Sequence, residues 1–274
     1  YSEFQFGSMS RFDLRTGKRE SIQPIALDAG GDSGYGYTWG WTAPLVLSQH
    51  DTATLYAGAN QLFRMHDLGV KGMDWEAIGP DMTRAPRTHP EGEGPNTSYH
   101  SLFSIAESPR TRDVIWTGSD DGLVWLTRDY GRTWTNVTVN FPARAPTHCF
   151  VSAIAASHFA DGTAYITYDC HSRDDYGPHV YKTTDFGKTW SSIGSGLPAD
   201  DGSLTVFEDP YNPRLLWLGT ETGAYVSIDG GARWRRFGHN LPPVPVEKFA
   251  MSYRDRELVA GTHGRGIWVA KVGP

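Results

Sequence analysis

The chain has 274 residues, enough for one large all-β domain or two small ones, and its net charge is −6 with acidic and basic residues interspersed. This charge gives no basic stripe for a phosphate backbone, and no apolar run approaches the roughly 20 residues that span a bilayer, so neither nucleic acid nor membrane insertion is expected. The 10 Trp, 13 Tyr, 12 Phe, 31 Gly and 17 Pro residues predict many short strands separated by turns.

The chain begins with three short predicted strands in segment 1–24, at 1–5, 8–13 and 18–22. With the strands of a four-stranded sheet lettered a to d in chain order, we interpret these as b, c and d of a partial sheet, or blade. Complete four-stranded blades are predicted next, at 42–80, 100–138, 149–194 and 203–238. The last segment, 246–272, predicts strands a, b and c of a second partial blade.

One motif, Ser/Thr-x-Asp-x-Gly-x-Thr-Trp, recurs in the predicted c–d turns. It occupies 127–134 and 183–190, it lacks only its Thr in 227–234, and a decayed copy runs from Met65 to Trp75. An Asp entering a tight turn accepts hydrogen bonds from backbone N–H groups, Gly tolerates positive φ, and Trp returns to pack between sheets. The motif carboxylates are therefore predicted to be structural rather than catalytic: Asp67, Asp129, Asp185 and Asp229.

Short apolar runs precede these turns. They lie at 54–58, 114–118, 215–219 and 258–261. Each is typical of a strand buried on both faces. Together with a motif spacing of roughly 45–60 residues, they favour four-stranded propeller blades. The whole of 1–274 is therefore predicted to be one β-propeller segment.

These motifs resemble the Asp-box, or bacterial neuraminidase, repeats of sialidases, xyloglucanase-type glycosidases and sortilin-type receptors. Segments 258–269 and 41–51 are similar, more narrowly, to large secreted bacterial proteins described as sortilin-like or glycosyl-hydrolase-like. The resemblance implies a β-propeller. It implies either a polysaccharide-directed protein or a receptor that binds peptide or protein, since one scaffold serves both classes.

The blade count raises the question of closure. Two terminal sheets of three strands exceed one closing blade, and an open ring would expose blade faces and strand edges. We expect other residues, from another part of the chain or a second chain, to complete a larger ring. The alternative is a small closed ring with irregular terminal sheets.

The predicted ligand-binding face is the one opposite the Asp boxes, where b–c loops and d–a connections meet. Carboxylates among aromatic rings are typical of carbohydrate sites, and a glycosidase needs two of them. The candidate catalytic residues are Asp120, Asp121, Asp174, Asp175 and Glu221. The candidate ligand-binding residues are Trp39, Trp41, Tyr99, His100, His171, His263 and Arg265. If a ligand binds there, Asp120, Asp121, Glu221, His263 and Arg265 should be accessible and share a cavity.

Each of these residues has a plainer reading, in which the acidic pairs are turn residues and Trp39 and Trp41 belong to the core. The sialidase Arg-Ile-Pro signature and a complete arginine triad are missing from the sequence, so sialidase activity is disfavoured. Our leading hypothesis is a glycan-directed propeller that binds or hydrolyses a polysaccharide, and the alternative is a non-enzymatic receptor or assembly module.

The two cysteines, Cys149 and Cys170, lie at neighbouring ends of strands a and b of one blade. A disulfide and two free thiols are both compatible with that placement. Zinc binding with the flanking His148 and His171 is less favoured, because adjacent residues on a strand point to opposite faces. A disulfide would indicate an extracellular or periplasmic compartment. The sequence predicts no cofactor and no metal site.

Overall fold

The computed structural model describes residues 1–24, 37–66, 75–84 and 100–273. Within them, strands form antiparallel sheets, and helix is limited to two 3-10 turns, Thr138–Asn140 and His171–Arg173. The chain folds as two compact units, Tyr1–Thr138 and Val139–Pro274. In each unit the described strands form three sheets.

The sheets of the first unit follow one another along the chain. Their strands are β1 (Ser2–Phe4), β2 (Ser8–Phe12) and β3 (Arg19–Ser21); β4 (Leu45–Leu47), β5 (Leu55–Gly58), β6 (Leu62–Met65) and β7 (Trp75–Ala77); and β8 (Leu102–Glu107), β9 (Ile115–Ser119), β10 (Val124–Thr127) and β11 (Thr135–Asn136).

The second unit repeats this plan. Its strands are β12 (Phe150–Ala156), β13 (Ala164–Asp169), β14 (His179–Thr183) and β15 (Ser191–Ser192); β16 (Ser203–Glu208), β17 (Leu216–Thr220), β18 (Gly223–Ser227) and β19 (Arg235–Phe237); and β20 (Val246–Ser252), β21 (Glu257–Thr262) and β22 (Ile267–Lys271).

Every sheet has its strands in sequence order, so neighbours are joined by hairpins as in a propeller blade. Four sheets have four strands, and β1–β3 and β20–β22 have three. The predicted all-β class, with four-stranded antiparallel blades and a partial blade in each terminal segment, is confirmed.

The apolar b strands form the centre of each packed pair of sheets. β5, β9 and β17 are buried along their whole length, as the sequence predicted. Between the last two sheets of the first unit, Tyr56 and Leu62 pack with Ile105 and Ile115. These contacts hold consecutive blades face to face.

The b strand of the last sheet differs from the prediction. β21 alternates between more and less buried residues, and the next strand exposes Ile267 and Val269. One face of this sheet packs on β16–β19 through Met251 and Leu258, while its other face has no neighbouring sheet within the unit. Burial on both faces therefore does not extend to this strand.

The Asp boxes close the c–d turns by the predicted chemistry. Asp129 accepts hydrogen bonds from the Thr127 hydroxyl at 2.8 Å and from both the backbone N–H and hydroxyl of Thr133 at 2.8 and 2.6 Å. Asp185 repeats all three bonds with Thr183 and Thr189, and Asp229 accepts from the Ser227 hydroxyl and the Arg233 N–H. Asp67, of the decayed copy, lies outside the described residues.

In the first unit, the motif tryptophans connect each four-stranded blade to the preceding sheet. The indole N–H of Trp134 donates to the carbonyl of Ile78, just after β7, and Trp75 donates to Ile22, just after β3. Ile78 directly follows β7, the d strand of its blade, and Ile22 has the same position after β3. By this equivalence β3 is also a d strand. The sheet β1–β3 thus consists of strands b, c and d.

A second contact between blades was not predicted. Buried Glu107, at the end of an a strand, accepts hydrogen bonds from the Ser48 hydroxyl at 2.8 Å and the Gln49 N–H at 2.6 Å in the a–b turn of the preceding blade. In the second unit, Glu208 binds the Ser157 hydroxyl and the His158 N–H in the same way. These glutamates fix neighbouring blades at the same end as the Asp boxes.

Candidate functional site at the b–c loops

The b–c loops lie at the end of each blade opposite the Asp boxes, beside the start of strand a. Strands β8, β12, β16 and β20 each have a register shift there, which leaves one extra residue unpaired. In β20 the extra residue is Glu247, between Val246 and Lys248. A bulge changes the direction of the side chain at the extra residue. The direction of the Glu247 side chain therefore does not follow the alternation of a regular strand.

Three donor groups converge at this end of the second unit. The nearest donor atoms of Asp169, His171 and Glu221 all lie within 4.8 Å of one another. Asp169 ends β13, His171 begins the following 3-10 turn, and Glu221 is in the turn after β17. We call this group the b–c cluster. Two consecutive blades therefore build one site.

His171 is held in place by its surroundings. Its Nδ1 lies 2.8 and 2.9 Å from the two Asp169 carboxylate oxygens, and its ring stacks on Phe150 with a centroid distance of 6.4 Å. The hydrogen bond to Asp169 raises the pKa of His171 above its ordinary value against the opposing effect of burial.

The Glu221 carboxylate has less of its negative charge balanced by nearby groups than the Asp169 carboxylate has. Its side chain is half-buried and makes no hydrogen bond to another residue in the described ranges. Burial, followed by repulsion from Asp169, Glu247 and Asp201, raises its pKa above the ordinary value, while His171 opposes the rise. A cationic or hydrogen-bond-donating ligand would relieve this repulsion.

Of the two principal readings of the cysteines, the disulfide is the one found. Cys149 and Cys170 are bonded, with Cα atoms 5.0 Å apart. Cys170 lies between Asp169 and His171 and accepts a hydrogen bond on its carbonyl from the Arg173 N–H at 2.8 Å. The bond therefore ties the loop that carries two residues of the b–c cluster to the start of β12.

Asp120 and Asp121 are buried, contrary to the expectation that they face solvent. Asp120 accepts a hydrogen bond from the Ser101 N–H at 3.0 Å. Asp121 binds the Arg84 N–H at 2.7 Å and His100 Nδ1 at 3.0 Å. Because their oxygens organise the loop backbone, these two carboxylates serve the fold, and His100 is paired with one of them.

The two candidate tryptophans differ in their exposure to solvent. Trp39 is 6% exposed and stacks on Phe63, which agrees with the alternative in which it is a core residue. Trp41 is 51% exposed and makes an edge contact with Phe6, at 5.3 Å between ring centroids. Phe6 lies in the b–c turn between β1 and β2, and Trp41 lies in the d–a connection, so both belong to the predicted face. We call them the aromatic pair.

The aromatic pair rests on a strained turn. Phe6 has φ 57°, which is rare for a bulky side chain, and its N–H donates to the Trp41 carbonyl at 3.3 Å. Gly7 follows with φ 70°, and a Cβ there would lie 2.3 Å from the Trp39 ring, so only glycine fits. Buried Trp39 thus supports the turn that presents Phe6.

The other candidates are dispersed. His263 is exposed, with Nδ1 3.8 Å from Glu247, so it borders the b–c cluster. Arg265 is exposed, and its backbone carbonyl accepts the Trp268 indole N–H. Asp174 ends the 3-10 turn with φ 55°, whereas Asp175 bonds His179 at 2.8 Å. Tyr99 lies outside the described residues.

Sequence reasoning missed Asp169, Glu247 and Phe6. Asp169 is the last residue of a strand directly before Cys170, a position from which a carboxylate reaches the b–c loop. Asp169 could therefore have been predicted from the sequence. Glu247 reaches the site through a bulge, which the sequence pattern does not reveal.

Comparison with known proteins gives matches in sequence and in fold. A family model described as Sortilin-Vps10 (sortilin, neurotensin receptor 3) matches residues 122–247. A probable oligoxyloglucan-reducing end-specific xyloglucanase of Neosartorya fischeri is 30% identical over 110 residues, covering 40% of this chain and 13% of that protein. Sortilin of Danio rerio is 24% identical over 158 residues, covering 55% of this chain and 17% of that protein.

Among solved structures, the GH74 xyloglucanase from Xanthomonas campestris aligns with a TM-score of 0.61 at 21% identity, covering 94% of this chain and 39% of that one. Such a likeness shows the fold alone. The resemblance to Asp-box β-propellers of the sortilin and xyloglucanase type is confirmed. The chain spans 13 to 17% of the length of the curated relatives it matches.

Proposed function

We propose that this chain is a glycan-directed β-propeller segment that binds a polysaccharide on its b–c loop face. The observation that carries the proposal is the aromatic pair, Phe6 and Trp41. Two exposed rings, held by a strained turn over a buried tryptophan, form a rigid apolar platform of the kind on which the flat face of a sugar ring stacks.

The matched proteins support the same ligand class. Several of them are named xyloglucanases, and xyloglucan is a polysaccharide. Within the second unit, the b–c cluster separately provides hydrogen-bonding groups that suit sugar hydroxyls, since two carboxylates and an imidazole lie within 4.8 Å.

The test is a binding screen with an aromatic control. Soluble xyloglucan and other plant and bacterial polysaccharides would be titrated into the chain and into Trp41→Ala. Tyr211→Ala is the matched control, because Tyr211 is 54% exposed, close to the 51% of Trp41, but lies in an a–b turn of the second unit. We expect Trp41→Ala to weaken binding about tenfold and Tyr211→Ala to leave it unchanged, since losing a stacked ring costs about 1.4 kcal/mol. Equal affinities in all three proteins would contradict the proposal.

Hydrolysis is a finer proposal, and it would use Asp169 and Glu221. Their nearest carboxylate oxygens lie within 4.8 Å, which is compatible with the short spacing of about 5 Å between acid and nucleophile in retaining glycosidases and not with the wider inverting spacing. Reducing ends released from a bound polysaccharide, and lost in Glu221→Gln, would establish it. Binding without release would leave a non-catalytic glycan module.

The second candidate function is a receptor or assembly module for peptide or protein. The family model that matches residues 122–247 favours it, because that model is described as sortilin, neurotensin receptor 3. A pull-down with folded chain that recovers a peptide ligand, combined with no binding in the polysaccharide screen, would favour this function.

We also propose that a further β-sheet covers the apolar face of β20–β22. Ile267 and Val269 are 74% and 58% exposed on adjacent same-face positions of β22. The sheet would come from another part of the chain or from a second chain. Light scattering of residues 1–274 should show association, which the double variant Ile267→Thr/Val269→Thr should reduce. A monodisperse monomer would support the small closed ring.

The disulfide supports an extracellular or periplasmic location, since such bonds persist in oxidising compartments. Among the residues that the structure describes, no helix has the length and hydrophobicity needed to cross a lipid bilayer. Free-thiol labelling of the protein from its native source would test the compartment, because a cytosolic protein should be labelled at both cysteines.

A further inference from the structure

We propose that Asp169, His171 and Glu221 bind one divalent transition-metal ion of the zinc class. One imidazole nitrogen and two carboxylate oxygens are ligand types that Zn²⁺ accepts. Three protein ligands leave a fourth position open, and the exposure of His171 places that position toward solvent. The site goes beyond glycan binding and does not depend on it.

The donor geometry is close to what an ion requires. A tetrahedral zinc site with bonds of about 2.1 Å places its donor atoms about 3.4 Å apart. Asp169 and His171 Nδ1 are 2.8 Å apart because they share a hydrogen bond, and all three donors lie within 4.8 Å. An ion would displace the shared proton and widen this pair to about 3.4 Å. A side-chain rotation that moves the Glu221 carboxylate by about 1 Å would complete the set. Glu221 can make that movement, because it has no side-chain hydrogen bond to another described residue.

The local charge gives an independent reason for a cation. Asp169 and Glu221 form no ion pair with a lysine or arginine among the described residues, although both are at least partly withdrawn from water. Glu247 and Asp201 add further negative charge close to Glu221. Placing this many carboxylates around one imidazole costs electrostatic free energy, and a divalent ion would recover it.

The supporting contacts are those that metal sites use to orient their ligands. Phe150 stacks on the His171 ring, and the disulfide fixes the loop between Asp169 and His171. These contacts restrict the imidazole before any ion arrives, which lowers the entropic cost of binding.

A second group in the same unit provides a matched control. The donor atoms of Cys170, Asp175 and His179 also lie within 4.8 Å. The sulfur of Cys170 is bonded to Cys149, so this group has only an aspartate and a histidine to offer. Asp175 and His179 pair at 2.8 Å, the same separation as Asp169 and His171. An Asp–His pair with no third ligand is therefore present as an internal comparison.

The test is isothermal titration of ZnCl₂ into the tag-free, oxidised 1–274 chain and three variants, His171→Gln, Glu221→Gln and His179→Gln. We expect one saturable site in the unmodified chain, about tenfold or greater loss of affinity in His171→Gln and in Glu221→Gln, and no change in His179→Gln. CoCl₂ should produce visible absorption bands that disappear in the same two variants.

Three outcomes would overturn the proposal. They are the absence of a saturable Zn²⁺ site, a site whose affinity is unaffected by both His171→Gln and Glu221→Gln, and tighter binding of CaCl₂ than of ZnCl₂. Circular dichroism of each variant checks folding, and if His171→Gln does not fold, the isosteric Glu221→Gln decides the question. Glycan binding is measured separately through Trp41, so failure of one proposal is distinguishable from failure of the other.

Discussion

The indole nitrogen of Trp234 donates a hydrogen bond to the carbonyl oxygen of Ile193, 2.7 Å away, and so joins two consecutive blades of the second unit. The same bond joins Trp134 to Ile78 in the first unit, at 2.6 Å. In both places the acceptor directly follows a d strand. At these two positions the final Trp of the Asp-box motif therefore fixes one blade against the preceding one, in addition to packing between sheets.

Trp234→Phe should lower the free energy of unfolding by about 1–3 kcal/mol, because it removes the donor and leaves the carbonyl of partly buried Ile193 without its partner. The matched control is Trp268→Phe, whose indole N–H bonds only the nearby Arg265 carbonyl in an exposed turn. Urea denaturation of both variants measures the difference. Equal losses would show that ring volume, and not the bond between blades, determines the cost.

The Asp boxes predict a specific acid sensitivity. Hydrogen bonds from the Thr133 hydroxyl and N–H lower the pKa of Asp129 from its usual 3.8 to about 2. A carboxyl group whose pKa is lower in the folded state stabilises the fold above its unfolded pKa of about 3.9, and this contribution is lost as pH falls toward 2. We therefore expect the stability difference between the unmodified chain and Asp129→Asn to be full above about pH 4 and to shrink below it. A difference that is constant from pH 6 to pH 2 would contradict the assignment.

The motif carboxylates should affect stability without affecting ligand binding. Asp185→Ala removes the acceptor of the Thr183 and Thr189 hydroxyls and should lower the melting temperature. Affinity for a polysaccharide, measured in the folded fraction, should hardly change, because the c–d turns lie at the opposite end of the strands from the b–c loops. Loss of binding at unchanged stability would place the ligand on the Asp-box face.

How far the sequence could predict this structure depends on whether a feature is local. The Asp-box turn is encoded within a few residues, as Thr127, Asp129 and Thr133 show, so its repeats reveal the blades and their hairpins. The bond from Trp234 to Ile193 joins residues 41 positions apart, and only its donor belongs to the motif. The acceptor, Ile193, is defined only by its position directly after a d strand.

The candidate site was less predictable because its residues reach it for different physical reasons. Asp120 and Asp121 resemble an exposed acidic turn in the sequence, yet backbone N–H groups from Ser101 and Arg84 hold them inside. Glu247 enters the site through a bulge that breaks strand alternation. A pattern of exposed acids cannot distinguish these cases, since the competing partners come from distant segments.

The disulfide should stabilise both the second unit and the b–c cluster. It joins residues 21 positions apart. For a loop of that length the chain-entropy account gives about 3 kcal/mol of stabilisation, because the unfolded chain loses freedom. Cys149→Ala/Cys170→Ala should therefore unfold at lower urea concentration than the oxidised chain by about that free energy.

The same variant tests whether the bond positions the site. Asp169 and His171 flank Cys170, so without the bond their loop gains freedom and Zn²⁺ affinity should fall even under conditions where the variant is folded. The contribution of Trp41 to polysaccharide affinity, measured as the affinity ratio with and without Trp41→Ala, should be unaffected, because Trp41 belongs to the first unit. Measuring both ligands on the folded double variant separates the two effects. A Zn²⁺ affinity equal to that of the oxidised chain would show that the contacts of His171 with Asp169 and Phe150 suffice to hold the loop, and would limit the disulfide to a role in stability.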